Sequence, residues 1–490
     1  MTKLKRLCLA AAACSLLLAL AGSARANNLA VTGVTVKPRD NSTALIQFDI
    51  SWENSWRHTN INHDAAWVFF KVLAENRDWE SWRHATLEGV GINPPGFSAG
   101  TGTPLDLIVP DDGTGVFVRR AQEGDGTLSA SGVSVVWNFA SNALVKTDRV
   151  RIRAYAVEMV YVAQGAFYAG SGGTEPHAFY AGASDNLPFL VDAAWSAPSA
   201  SSPDARRTGN VTNQLWAGGT ISAGTLHDAF PTGYKPFYCM KYEITQEQWA
   251  DFLTALTPAQ AATHYFATTS ARHTISKDAD IYTAAAPDRA CGFLSWADSL
   301  AFAAWSGLRP MTELEYEKAC RGPLPPVANE YAWAQSGDLT IEKQTGHIGT
   351  DGSGSETASP SSANCNFAKG ISGPVRAGIY ATTGSTRAEA GASYWGILDL
   401  SGNLWERCVY IDQRTFQATH GTGTLSETGA ATNADWPTSM AISRVRGGSW
   451  NFDTTWARVS CRAHTTYGFS GRDQTYGFRA VRSAPADINP

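Results

Sequence analysis

Six cysteines follow residue 26, and all lie beyond residue 230: Cys239, Cys291, Cys320, Cys365, Cys408 and Cys461. The stretch from 27 to 238 has none, so any covalent bracing is confined to the second half and the chain divides into two unlike parts. No two of the six stand in a Cys-x-x-Cys pair, the spacing that zinc ribbons and thioredoxin-like sites need. The two remaining cysteines, Cys8 and Cys14, belong to a leader. Lys3, Lys5 and Arg6 charge its start, Leu7 to Ala21 is apolar, and Ala24-Arg25-Ala26 offers small residues to a signal peptidase. Residues 1–26 are therefore predicted to be a signal peptide and the protein to be exported, to a periplasmic, cell-surface or secreted location. In such an oxidising compartment an even cysteine count favours structural disulfides. Loss of the leader would take the formal charge from −5 to −9. With that balance and no basic stripe, nucleic acid is excluded as a partner. No later segment is long and apolar enough to span a bilayer.

Between 27 and 156 the chain reads as strands and turns. Ala44, Ile46, Phe48, Ile50 and Trp52 alternate with polar neighbours, the period of a half-buried strand. Ala66 to Phe70 and Val133 to Trp137 are further strands, and Val150, Ile152, Ala154 and Ala156 alternate with Arg149, Arg151, Arg153 and Tyr155 as a last one. The expectation is an all-β sandwich of immunoglobulin or fibronectin-III type. Another strand begins at Met159, opening a domain predicted to run from 157 to 484, with a tail at 485–490. Thr245 with Gln248 and Thr312 with Glu315 have the spacing of capping boxes, and Ser295 can cap a helix through Trp305. Residues 334–362 are a Gly/Ser/Thr-rich insertion. The rest is irregular and aromatic: 17 Trp, 16 Tyr and 20 Phe against only 17% charged residues imply a backbone held by ring packing rather than by long helices.

Most catalytic motifs fail on context. Gly96-Phe97-Ser98-Ala99-Gly100 has the letters of a nucleophile elbow, but Pro94-Pro95 precede it where a strand is needed. His58, His63 and Asp64 fit no metal spacing and read as exposed loop residues.

Five ordered motifs are more specific: Tyr242-Glu243-Ile244-Thr245, Gly307 to Glu317, Gly402-Asn403-Leu404-Trp405-Glu406, Arg446-Gly447-Gly448-Ser449-Trp450 and Gly477-Phe478-Arg479. Together they resemble the sulfatase-modifying-factor, or formylglycine-generating-enzyme-like, domain. The resemblance implies an α+β fold of C-type-lectin type with little regular secondary structure, behind the β-sandwich. It also implies a disulfide between Cys320 and Cys461; Cys239 with Cys291 and Cys365 with Cys408 are then candidate pairs, although four cysteines allow three pairings. Asp399, Gly402, Leu404 and Glu406 resemble a family calcium loop of hard oxygen donors. Formylglycine-generating enzymes hold copper with two thiolates placed just after the Gly-Gly-Ser motif. Here that neighbourhood holds Phe452 and Trp456 with Ala457, whose side chains cannot bind Cu(I) as sulfur does, so no copper is expected. Ser449 and Trp405, neighbours of the active site in those enzymes, then read as scaffold.

Between the Gly-Gly-Ser and Gly-Phe-Arg motifs lie Phe452, Asp453, Thr454, Thr455, Trp456, His464, Thr465, Thr466, Tyr467, Phe469, Asp473, Gln474, Thr475 and Tyr476. The arrangement is similar to the variable proteins of diversity-generating retroelements, which display diversified residues on a lectin-like domain. Rigid aromatic area with adaptable hydrogen bonding is the chemistry of a recognition surface. The sequence therefore points to an exported ligand-binding protein whose partner is a glycan, a peptide or a surface protein. The alternative is an oxidoreductase of the formylglycine-generating and sulfoxide-synthase-like superfamily using a metal other than copper, with His420 or His464 as its imidazoles.

Overall fold

The alternating residues of the Thr43–Thr59 strand, Ala44 to Trp52, are all buried. That strand pairs antiparallel with Ala30–Pro38 on one side and Gly124–Asn138 on the other. Its apolar face meets Val68, Phe70 and Val72 of the Asn62–Ala74 strand in one cluster, with the Phe48 and Phe70 ring centroids 5.6 Å apart. Each such side chain taken from water stabilises the pair of sheets by roughly 1.5–3 kcal/mol. The computed structural model describes residues 28–77, 81–183, 187–218, 220–333, 347–348, 356–359, 361, 363–368, 371–438, 443–463 and 471–486. The predicted leader and most of the 334–362 insertion fall outside these residues. Mostly sheet with few helices, the fold is α+β in kind.

The Asn62–Ala74 strand abandons alternation, and His63 to Val72 are buried without a break. Both of its faces are covered. Ala66, Val68, Phe70 and Val72 join the first cluster, whereas Ala65, Trp67 and Phe69 join the larger core of the second half. That double burial is the reason for the uninterrupted apolar run at Ala66–Phe70. The next strand, Val150–Val162, pairs with it from Val150 to Val160 and hands its far end, Met159–Val162, to Phe237–Met240. Phe237–Met240 in turn pairs with Ala480–Ser483, and Arg309–Pro310 closes that edge. The strands predicted at 150 and 159 are thus one strand, and the expected border at 156/157 falls inside it. Trp67 Nε1 donates to the Ser306 carbonyl at 2.8 Å, and Lys71 Nζ reaches the Trp305 and Gly423 carbonyls at 2.7 Å each. Arg482 grips both oxygens of Asp112 at 2.6 and 2.7 Å.

The same seam overturns the reading of His63 and Asp64 as exposed. His63 stacks on Tyr161 at 4.7 Å and lies 3.0 Å from the Tyr238 hydroxyl. Asp64 accepts from Trp52 Nε1, Ser55 Oγ and the Trp56 amide at 2.9, 3.0 and 3.0 Å. His58 stays exposed. The letters at Gly96–Gly100 follow a turn closed by the Phe97 amide on the Pro94 carbonyl at 3.1 Å, and Ser98 pairs with Ser134 instead of capping an elbow.

Capping boxes open the helices Gln246–Thr254, Trp296–Trp305 and Glu313–Arg321 at Thr245, Ser295 and Thr312. A fourth, Pro258–His264, was not anticipated, although Thr257 before a proline is a readable start signal. The six cysteines after residue 230 are buried and bonded to no other cysteine, Cys320 and Cys461 included. The Cys320 thiol is hydrogen-bonded with the Tyr316 hydroxyl. Cys365 donates to the Ser401 carbonyl at 3.0 Å. Burial pushes every one of the six up from the ordinary thiol range.

Candidate functional site

The motifs build a charged skeleton under the surface. Glu313 and Glu317 point from one helix into the core, and Arg446 reaches them at 3.4 and 2.6 Å. Arg462 adds bonds of 2.8 and 3.1 Å to Glu313. Burial pushes the Glu313 carboxyl up, but the guanidiniums of Arg462 and Arg446 overcome it and hold the group below its usual range. Arg446 leads into Gly447 and Gly448, at φ of 87° and 73°. A Cβ on Gly447 would lie 2.7 Å from the Leu400 carbonyl, and one on Gly448 2.9 Å from the Ala457 Cα. Only glycine permits so close a bend.

The two carboxylates expected to bind calcium each have a protein partner. Glu406 gives one carboxylate oxygen to Arg479 at 2.7 Å, so a cation already stands where a second would compete. Asp399 accepts from the Gly378 amide at 2.7 Å. Leu404 donates its N–H to Glu243 at 2.8 Å, and Asn403 bonds the other Glu243 oxygen. Glu243, unremarked as a functional residue in the sequence, thus organises the 402–404 turn from within. Burial, followed by the nearby charges of Asp399 and Glu406, pushes its carboxyl well above the ordinary range. Among the described residues no group of three or more His, Cys, Asp and Glu could hold a metal ion. His420, an imidazole of the alternative reading, accepts from the Ser483 amide at 3.1 Å.

Beyond the glycine bend three aromatic rings converge. Trp405 is buried, and Phe452 and Trp456 stand half-exposed above it. Ring centroids lie 5.3 Å apart for Trp405–Phe452, 6.1 Å for Trp405–Trp456 and 5.8 Å for Phe452–Trp456, all edge to face. That is the preferred geometry for ring quadrupoles. The turn that carries them is fixed by the Phe452 amide on the Ser449 carbonyl at 3.0 Å and the Thr455 amide on Asp453 Oδ1 at 2.9 Å. Asp453 is exposed at the rim, with Thr454 and Thr455 half-buried beside it.

The 471–476 segment contributes less than the sequence implied. Asp473 and Gln474 are half-buried. Asp473 takes the Thr475 amide and hydroxyl at 2.8 and 2.6 Å, and the Gln474 carbonyl takes Trp450 Nε1 at 3.3 Å. Tyr476 faces inward: it pairs in parallel with Trp405 and lies beneath the Arg407 guanidinium, 4.6 Å from its ring. Its place is under the aromatic patch, not on it. His464, Thr465, Thr466, Tyr467 and Phe469 lie outside the described residues. Trp405, read as scaffold, proves to be the floor of the patch. The signal was available, since it sits in a motif directly beside Glu406.

Fold and site together define a helix-poor module whose bends are locked by buried arginine–glutamate pairs and which presents aromatic rings at a glycine turn. The chain belongs to the sulfatase-modifying factor enzyme 1-like family, whose domain matches residues 199–484, more than half of its length. It is similar to a formylglycine-generating enzyme from Thermomonospora curvata, 28% identical over 124 residues. That stretch is 25% of this chain and 34% of that protein, so the likeness spans about a third of the relative's length.

Proposed function

We propose that this chain is an exported ligand-binding member of the family, with Phe452 and Trp456 as its aromatic anchors and Asp453, Thr454 and Thr455 as its polar rim. The observation that carries the reading is the three-ring cluster on Trp405, which fills the neighbourhood where a copper-binding relative would carry its two thiolates. Phenyl, indole and methyl groups offer Cu(I) no soft ligand, so we place this chain outside copper-dependent oxidation. Calcium has no part in the reading. The half-exposed rings have the chemistry of hot-spot residues, which anchor glycans, peptides or protein surfaces. The N-terminal sheets act as a sandwich-like carrier for a lectin-like second half. Segment 452–476 is the place where diversification would act; a near-identical template repeat beside the gene, with a reverse transcriptase, is its expected trace.

The test is a glycan, peptide and protein array probed with the exported protein and with the double variant Phe452→Ala/Trp456→Ala. Loss of a hot-spot pair lowers affinity by about thirtyfold or more, equivalent to roughly 2 kcal/mol. Equal binding by both proteins overturns the reading, as does stoichiometric copper with oxygen consumption in the purified protein.

A further inference from the structure

A second concave surface lies away from the aromatic patch, where the two halves of the chain meet. The hairpin from Asn54 to Asn62 forms one wall, Lys241 and Tyr242 the floor, and residues 376–398 the other wall, around a cleft of about 840 Å³. That volume lies within the roughly 300–1,000 Å³ of pockets that bury a small ligand. Neither half forms it alone, because the hairpin belongs to the first pair of sheets and the 376–398 segment to the second half.

Its walls have an unusual composition. Trp56, Tyr394 and Trp395 supply ring area, and Thr382, Thr383, Ser385 and Thr386 supply hydroxyls. Arg376, Arg387 and Lys241 line it, and the carboxylate nearest its wall, Glu389, is taken up by the amide and hydroxyl of the lining Thr386 at 2.8 Å each. On a chain of formal charge −5 this is a local reversal of sign, and a concave surface of one sign focuses its field on an opposite charge. Lys241 is committed to Glu158 at 3.3 Å and sits 4.8 Å over the Trp56 ring, so it fixes that ring rather than reaching outward. The two arginines are braced on backbone oxygens: Arg376 Nε on the Glu356 carbonyl at 3.1 Å and Arg387 on the Trp333 carbonyl at 2.9 Å. Glu330 and Asp399 are close enough to feel their charges but stand behind the wall. A guanidinium presents its donors in a planar fork that matches a carboxylate or sulfate.

The walls are also held ready. The Leu398 amide bonds the Lys241 carbonyl at 3.0 Å, tying the far wall to the floor. Gly396, at φ 89°, lets the chain lie against Trp56, where a Cβ would come within 3.1 Å of the indole. Trp56 Nε1 is bonded to Asn62 at 2.9 Å, which fixes the ring plane. Tyr394 is 38% exposed at the mouth, edge-on to Trp395 at 4.8 Å. A sugar ring presents an apolar C–H face to such rings and hydroxyls to threonines and serines, and an acidic sugar adds an anion for the arginines.

We propose that this cleft binds an acidic saccharide, with its carboxylate or sulfate on Arg376 and Arg387 and a sugar face against Trp56 and Tyr394. The probes are oligogalacturonate, which carries only carboxylates, dextran sulfate, which carries only sulfates, and uncharged dextran. At least one acidic probe is expected to bind, more weakly as salt rises, and dextran is not. The double variant Arg376→Gln/Arg387→Gln should weaken that binding tenfold or more. Thr383→Trp, on the exposed rim, should block the cleft to a similar extent while melting at the parent temperature, which separates a lost site from a lost fold. Retention of dextran equal to that of the acidic probes, binding unchanged in both variants, or no binding of either acidic probe overturns the proposal.

Discussion

In the cluster between the first two sheets the side chains that meet are Ile46, Phe48, Val68, Phe70 and Val135. In the second half, the space between the Glu313–Arg321 helix and the 446–462 segment is occupied by Glu313, Glu317, Arg446 and Arg462, all fully buried. The first core depends on area removed from water and tolerates change in shape. The second depends on matched charges in a low-dielectric interior, where an unpartnered ion is far costlier than a missing methyl. The difference explains why the second half can be so poor in helix and strand. Directional pairs fix irregular backbone that ring packing alone would leave without a unique path.

The strongest way to break this contrast is Arg446→Met. It leaves Glu313 with Arg462 and the Ile411 amide, and takes from Glu317 its 2.6 Å partner, so that Arg321 at 3.3 Å is the nearest guanidinium left to it. Removing one member of a buried pair costs about 3–5 kcal/mol, which urea denaturation would read as a large fall in midpoint. The double variant Arg446→Met/Glu317→Gln should recover part of that loss, because the stranded charge goes with its partner. If Arg446→Met costs less than about 1 kcal/mol, the pairs are not what holds the second half.

The two halves were not equally legible. The Ala44–Trp52 alternation and three of the four capping boxes follow from residues a few positions apart, so local pattern was enough. The seam was hidden because a strand buried on both faces has no period, and because nothing at Val157-Glu158 marks a turn. Glu243 was hidden for another reason: its partners Asn403 and Leu404 lie 160 and 161 residues away. In the candidate site Phe452 and Trp456 were visible as aromatics at a glycine bend. Tyr476 was misjudged because its inward face is set by pairing with Trp405, seventy-odd positions earlier in the chain.

The seam itself gives a second, smaller effect. Burial first, then Arg119 and Arg57, hold His63 well below the ordinary imidazole range. The folded chain keeps this ring neutral while the unfolded chain takes up a proton below about pH 6.5. Stability from this group is therefore present above that pH and lost as pH falls, by about 1.4 kcal/mol per pH unit for one proton. His84 and His420 are shifted the same way by burial, so the parent protein should be acid-sensitive. His63→Asn should reduce the slope between pH 6.5 and 5 by roughly one proton's share, read from urea midpoints across that range. An unchanged slope would mean that the ring is charged when folded, and that the two halves meet less tightly than the stack on Tyr161 indicates.

The smallest effect belongs to the first core, and it sharpens the contrast from the other side. Ile46 is fully buried, but its neighbours are apolar side chains on two sheets that can close part of a gap. Ile46→Val removes one methylene and should cost about 0.5–1.5 kcal/mol. The lost transfer energy is near 0.8 kcal/mol, and the residual cavity accounts for the remainder. Because no charge is stranded, the loss should not vary between pH 5 and 8. A pH-dependent penalty at Ile46 would show that the sheets and the charged skeleton unfold as one coupled unit, joined through the Val150–Val162 strand that both halves share.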